Sequence, residues 1–372
     1  MSKLTKYKFS DLYEMSSGIS SSKEQAGHGS PFISFSTVFN NYFLPEELPD
    51  LMDTSLKEQE IFSVKKDDVF ITRTSETVDA LAMSCVAVKD YTKATFSGFV
   101  KRLRPKTTGI VYSKYIAFFL RSKYFRKVLD CNTIMTLRAS FNEDMFSFLY
   151  LYLPDYEEQV RIGDLLYKME IKIRTNNKIN DNLAAMAYDI YMHTFFSKKP
   201  NAKLKDILTE AEKSSIQVGE AKISNGKYPF FTSGSTILKW NEPFVDGRNC
   251  FLNTGGNADV KFYVGKAAYS TDTWSVSAKS EMSDYLYLML FSIRPELDQK
   301  FFQGTGLKHL QKPLLKDRPI YVPEKMELEA FNRQVMPMFD IISENTRENQ
   351  QLTSLRDWLL PMLINGQATI GD

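Results

Sequence analysis

Residues 162–194 read IGDLLYKMEIKIRTNNKINDNLAAMAYDIYMHT, and residues 331–363 read FNRQVMPMFDIISENTRENQQLTSLRDWLLPML, an internal repeat at a constant offset of 169 (331 − 162). Steps of four and three through the first copy land on Ile162, Leu166, Met169, Ile173, Asn176, Asn180, Leu183, Ala187, Ile190 and Thr194. The same steps through the second land on Phe331, Val335, Met338, Ile342, Asn345, Asn349, Leu352, Arg356, Leu359 and Leu363. Apolar residues at 4,3 spacing form the seam of a helix that packs along another long helix, and each copy places two Asn in the middle of it. Pro337 lies inside the second pattern, where it is expected to kink that helix or delay its start.

The repeat extends outward. Leu153-Pro154 precedes the first helix and Val322-Pro323 the second, so each helix follows a globule of its own. A chain of 372 residues has room for two domains of about 150 residues plus connecting helices. Strand-like runs (68–72, 85–88, 95–103, 250–252, 260–264, 274–277) and helical periodicity at 114–129 and 284–293 predict globules of mixed α and β structure. Cys85, Cys131 and Cys250 stand apart without a CxxC pair, which argues against a disulfide framework or a zinc site and fits a reducing cytoplasm. No apolar run approaches the length of a membrane span.

The formal net charge of +2 conceals an uneven distribution. Residues 1–153 carry 20 Lys and Arg against 17 Asp and Glu, and residues 200–322 carry 16 against 13, whereas the tail from 323 carries 4 against 8. Both globules hold dense basic runs, at 101–138 and 299–318, the footprint of phosphate contact or of a merely solvated face. Loops at 232–235, 253–257, 271–273 and 304–306 are built of Thr, Ser, Asn and Gly, which suit tight turns and also carry groups that reach base edges. The residues singled out for DNA contact are Arg73, Lys101, Arg102, Arg104, Lys106 and Arg138 in the first globule. In the second they are Thr232, Ser233, Lys239, Trp240, Asn241, Asn253, Thr254, Thr305 and Lys308.

Catalytic patterns are scarce. There is no phosphate loop, no Asn-Pro-Pro-Tyr element and no Gly-rich cofactor loop after a strand, and His28, His193 and His309 are isolated. Asp155 followed by Glu170 and Lys172 superficially matches a PD…ExK nuclease site, although Glu170 and Lys172 fall on the long helix rather than on strands that converge on a metal.

Taken together, the residues resemble the specificity subunit of type I restriction-modification systems over essentially the whole chain. The resemblance rests on Leu153-Pro154 followed by Glu158-Gln159-Val160-Arg161-Ile162, and on the run from Leu355-Arg356-Asp357-Trp358 to Asn365-Gly366. Tyr228 to Gly234 and Ser97-Gly98-Phe99 to Arg104-Pro105 resemble stretches of its recognition domains, whereas Met186-Ala187-Tyr188-Asp189 departs from the Leu-Arg-Asp element. The resemblance implies an α+β chain: recognition domains at 1–155 and 199–323, joined by spacer helices at 156–198 and 324–372 that pair as an antiparallel coiled coil. It also implies that each globule reads half of a split site in double-stranded DNA, and that the chain has no catalytic site and binds no cofactor. S-adenosylmethionine, ATP and Mg²⁺ would belong to partner subunits: two methyltransferase subunits and the restriction translocase. A helix register in which paired positions sum to 525 sets Asn176 against Asn349 and Asn180 against Asn345. At ~1.5 Å per residue such a rod would be roughly 50 Å long, more than the ~35 Å of one turn of B-DNA. Two other classes compete: a stand-alone nuclease using Asp155, Glu170 and Lys172, and a coiled-coil scaffold that binds no DNA.

Overall fold

The computed structural model describes residues 4–77, 80–132, 139–368 and 370. The repeated segments form helices at Tyr156–Thr194 and Lys325–Ile364. The second begins well before Pro337 and runs through it, so the expected delay at that residue is corrected. Proline forfeits one backbone hydrogen bond there, and side-chain packing on either side keeps the helix going.

The chain divides into two compact units, Met1–Ile171 with Leu352–Asp372, and Lys172–Gln351. The division passes through both long helices, so each unit owns a piece of each. In the first unit Ile162 and Leu166 from one helix and Leu360, Leu363 and Ile364 from the other join a core containing Phe9, Tyr115, Phe118 and Phe125. In the second, Ala187, Tyr191, Phe331, Val335 and Phe339 join Trp274, Tyr285 and Leu286. The apolar seam thus does double service, covering the globule as well as the partner helix.

Each unit repeats one topology. In the first, an antiparallel four-stranded sheet is ordered Tyr13–Ser17, Val100–Pro105, Val69–Thr72, Ser84–Val86. In the second the order is Leu208–Glu210, Thr273–Ala278, Arg248–Asn253, Val260–Val264. A three-stranded sheet accompanies each: Ala26–Ile33 pairs antiparallel with Asp50–Met52 and parallel with Thr95–Phe96, as Tyr228–Phe231 pairs with Leu238–Trp240 and Ala268–Tyr269. A short antiparallel pair, Thr5–Lys8 with Tyr150–Leu153 or Ala202–Lys203 with Pro319–Ile320, closes each globule just before its long helix.

Two sequence expectations are corrected. The strand expected across 95–103 is two strands, because the chain leaves the three-stranded sheet after Phe96, turns through Ser97-Gly98-Phe99 and enters the four-stranded sheet at Val100. The backbone of Gly18 passes directly beneath that turn, where a Cβ would lie 2.3 Å from the carbonyl oxygens of both Phe96 and Ser97. The helix expected across 114–129 is likewise two, Ser113–Phe119 and Lys123–Asn132. Ser122 breaks it by accepting the N–H of Phe125 at its hydroxyl oxygen, a cap that starts the second helix.

The helix entry explains one motif. Asp155 accepts the N–H of Glu158 and caps the first long helix. Gln159, 1% exposed, donates to the carbonyls of Ile110 and Pro154 and accepts the N–H of Tyr112, which locks the helix start to its globule. Among the described residues no helix is long and apolar enough to cross a membrane.

Candidate nucleic-acid interface

At one edge of each unit the two sheets and the loop before the long helix meet in a junction built from the same backbone hydrogen bonds. In the first unit the N–H of Arg73 donates to the carbonyl of Phe99 at 2.9 Å, and the carbonyl of Arg73 accepts the N–H of Phe141 at 2.8 Å. In the second, Thr254 donates to Asp272 at 3.0 Å and accepts from Leu310 at 3.0 Å. The preceding residues behave alike, Thr72 donating to Met83 and Asn253 to Asp259. Beneath the loop tips, Ser97 donates to Ile33 and Gly98 to Ile19, as Ser270 donates to Phe231 and Thr271 to Ile216. Arg73 therefore corresponds to Thr254, and Phe99 to Asp272. Because these bonds consume the backbone groups, the side chains are what the rims present.

The first rim presents an aromatic ring, Phe99, and the cation Arg73 together with the acidic Glu76. Phe99 is 66% exposed and borders an open cavity of about 550 Å³ whose other walls include Phe35, Phe39, Thr74, Ser75, Glu76 and Thr77. Arg73 is exposed, whereas Lys101 beside it is only 7% exposed and turns its ammonium inward to donate to the Ser17 hydroxyl at 2.8 Å. Burial, and then the neighbouring Arg73 charge, push the Lys101 pKa down.

The second rim is polar and internally tied. Asn253 donates to the carbonyls of Ser233 and Asn257, Ser233 donates to the carbonyl of Asp272, and Lys261 donates to the carbonyl of Thr232 at 2.8 Å. Lys308 meets Asp298 at 3.1 Å. Thr232, Ser233, Asn253, Thr254 and Lys308, chosen from three separate loops, thus come together around one junction. Thr305 is exposed on the neighbouring loop.

Several candidates turn out to build the scaffold. Arg102, 9% exposed, sends its guanidinium to the carbonyl of Ser63 at 2.6 Å and over the Phe96 ring. Arg104 grips Asp68 with two bonds of 2.7 Å, which raises the guanidinium pKa further. Lys106 donates to the carbonyl of Ser10 but remains exposed at the surface. Phosphate contact by Arg102 is therefore corrected, because on the buried part of the strand a long cation finds carbonyls inside the fold before it finds solvent, while Arg104, at the half-exposed end of the strand, is engaged by Asp68. Thr232 and Asn253 are each only 5% exposed and hold their loops in shape rather than reach outward. Trp240 packs on Phe230 with ring centroids 5.8 Å apart, so it belongs to the interior face of the hairpin, and Lys239 pairs in register with Pro229 of the adjacent strand. Asn241 is exposed beyond the hairpin end. Arg138 lies outside the described residues. The basic run 299–318 is largely paired: Lys300 and Arg318 with Glu296, Lys308 with Asp298, Lys316 with Glu210.

Phe99 and Asp272 were not among the candidates. Asp272 stands in the 271–273 loop already read as able to reach base edges, whereas Phe99 stands in a stretch expected to be strand, and only the break at 97–99 makes it a loop tip.

The nuclease reading does not survive the geometry. Asp155 is occupied as a helix cap, Glu170 meets Arg356 at 3.0 Å and Lys172 meets Glu348 at 3.2 Å. Among the described residues no cluster of His, Cys, Asp and Glu is placed to hold a metal.

The seam residues are observed in contact within the second unit. Asn176, 1% exposed, donates to Asn349 at 2.9 Å and to Glu348 at 2.7 Å, and Asn345 donates to Asn180 at 2.8 Å. The two helices therefore run antiparallel there.

Comparison with known proteins agrees with the duplicated fold. The chain is 20% identical to the type I restriction enzyme MjaIX specificity subunit of Methanocaldococcus jannaschii, over 98% of this chain and 93% of that protein. It is 22% identical to the HindI specificity subunit of Haemophilus influenzae, over 90% and 94%. Its fold matches the crystal structure of a type I restriction-modification S subunit from M. genitalium at a TM-score of 0.65 and 13% identity, covering 97% and 96% of the two chains. The family model for the type I restriction modification DNA specificity domain matches twice, at residues 1–185 and 198–354, and the chain belongs to that family.

Proposed function

We propose that this specificity subunit reads a bipartite DNA site, one half with each junction, and delegates all chemistry to its partners. The carrying observation is the pair of junctions that share a backbone scaffold while presenting different side chains, Arg73 and Phe99 in one and Thr254 and Asp272 in the other. A common frame with variable tips is what two half-sites of different sequence require. Exposed cations at the rims would position the phosphates, and the rim side chains would discriminate bases.

In this reading residues 1–155 and 199–323 are the recognition domains, and 156–198 and 324–372 are spacers that set the gap. The matched Asn pairs support that role, since a polar pair in a helix seam, here with Asn176 buried and the other three half-buried, fixes register at some cost in stability. The partners are double-stranded DNA, two methyltransferase subunits and the restriction translocase subunits. S-adenosylmethionine, ATP and Mg²⁺ sit on those partners, and the complex works in the cytoplasm. Trp358, 65% exposed, and Leu355, 43% exposed, offer a docking face on the second helix for a methyltransferase subunit, which would flip the target adenine.

Co-expression with the methyltransferase subunit of its own system, followed by genome-wide mapping of N6-methyladenine, tests the proposal. A bipartite motif with a fixed gap, lost when this chain is deleted, is the expected result. A stable complex without sequence-specific methylation would favour a scaffold.

A further inference from the structure

We propose that the two loop tips, Phe99 and Asp272, are the specificity-determining positions of the two half-sites, Phe99 reading a thymine methyl and Asp272 an exocyclic amine. The inference rests on the bipartite reading above and gives it chemistry. The two residues are structural equivalents, because the carbonyl of each accepts the same bond, from Arg73 or Thr254, and the chain on either side is tied down in the same way. The serines at the base of the two tips are covered, Ser97 at 8% and Ser270 at 0% exposure, whereas both tip side chains are exposed. Each tip is thus a single side chain projected from a fixed backbone.

The chemistry of the tips is opposite. A phenyl ring neither donates nor accepts a strong hydrogen bond, and the one apolar mark on the major-groove edge of the bases is the thymine methyl. The Phe99 ring also borders the open cavity of about 550 Å³ lined by Phe35 and Phe39, an apolar surface for a methyl group to pack on. A carboxylate only accepts, so Asp272 matches the edges that donate, cytosine N4 or adenine N6, and is repelled by the acceptors of guanine and by phosphate. Its backbone neighbours are already saturated: Ser233 donates to the Asp272 carbonyl, as does the N–H of Thr254. That leaves the carboxylate as the group that reports on sequence.

The test uses the full chain with its methyltransferase subunit. Phe99→Ala and Asp272→Ala are each mapped by their N6-methyladenine motif, with Phe99→Leu as the conservative control. We expect Phe99→Ala to relax one thymine in one half-site, Asp272→Ala to relax one cytosine or adenine in the other, and Phe99→Leu to keep the original motif. In every case the untouched half-site remains read, which shows that the variant is folded. In duplex competition, replacing that thymine by uracil weakens the native complex about tenfold and leaves the Phe99→Ala complex unchanged. The inference is overturned if both variants reproduce the native motif, if both alter the same half, or if uracil costs native and variant complexes equally. Absence of any bipartite motif with the native chain overturns the recognition reading, and this inference with it.

Discussion

Arg73 and Thr254 occupy one position in two copies of a junction, and so do Phe99 and Asp272, yet nothing about the side chains is alike. Although Ile19 donates to the carbonyl of Phe96 and its counterpart Ile216 to the hydroxyl of Ser214, the backbone bonds of Arg73, Ser97 and Gly98 recur at Thr254, Ser270 and Thr271. The interior ion pairs do not: the first unit buries Asp68 against Arg104 of the neighbouring strand, whereas the second buries Asp284, from a helix, against Arg248, which also reaches Asp340. The comparison teaches that duplication fixed the hydrogen-bonded frame and left side chains free on both faces. Inside, they found different ways to neutralise a buried carboxylate; outside, they diverged in the chemistry offered to a ligand.

The largest effect expected from breaking the comparison lies in those interior pairs. Arg104→Ala strands Asp68, which is 1% exposed, and should cost about 3–5 kcal/mol, with Arg248→Ala doing the same to Asp284. Denaturant unfolding gives the size, and hydrogen exchange at 69–72 and 248–253 shows whether each loss stays in its own unit. A loss under about 1 kcal/mol would mean that water relieves the stranded charge.

Next come the rims. Arg73→Ala should weaken binding to the mapped duplex by about tenfold to a hundredfold, corresponding to ~1–3 kcal/mol, and Thr254→Ala by less, because only Arg73 carries a charge. Titrations over a range of salt decide what Arg73 touches. A uniform loss across sequences with a salt slope reduced by about 1 assigns it to phosphate, and a loss confined to one base pair assigns it to a base edge.

A smaller and opposite effect is expected from the seam, which the two Asn pairs make polar. Asn176→Leu combined with Asn349→Leu should raise stability by about 1 kcal/mol or more while loosening register. Unchanged melting together with unchanged disulfide crosslinking between cysteines placed at 180 and 345 would remove the register role.

The smallest effect concerns acid. Hydrogen bonds from Tyr321 and then Lys198 hold the Glu327 carboxyl at about 2, against its ordinary 4.5. Since the folded value lies below the unfolded one, this stabilisation is complete above about pH 4.5 and is lost as the pH falls towards 2. Glu327 is half-buried at the start of the second helix, with a third of its side chain open to solvent, so the contribution is modest. Glu327→Gln should flatten the fall in Tm across that window. The corresponding residue of the first helix, Glu158, is 2% exposed and bound to Arg161 instead, so its removal should act through packing as well.

Much of the architecture is visible in the chain because helix seams are periodic. The 4,3 spacing of Ile162 to Thr194 and its echo at Phe331 to Leu363 point to two long helices, and the Asn steps suggest how they meet. The rims were harder to read. A run such as Lys101 to Lys106 advertises charge, but whether Arg102 and Arg104 face phosphate or Ser63 and Asp68 depends on strands distant in sequence. Trp240 looked like a contact beside Lys239 and Asn241, and the pairing of its strand with Tyr228–Phe231 turned it onto Phe230.

The sequence by itself determined the duplication, the long helices and their polar steps, because periodicity and repeat are local properties of the chain. The tertiary structure alone decided that Arg73 and Thr254 are the same position and that Phe99 and Asp272 are the exposed tips. Those facts arise from hydrogen bonds between segments far apart in sequence, whose spacing differs between the copies: Arg73 to Phe99 spans 26 residues (99 − 73), Thr254 to Asp272 only 18 (272 − 254). Insertions in loops change such separations at little energetic cost, so no fixed offset reveals the match, while the backbone geometry at the junction preserves it.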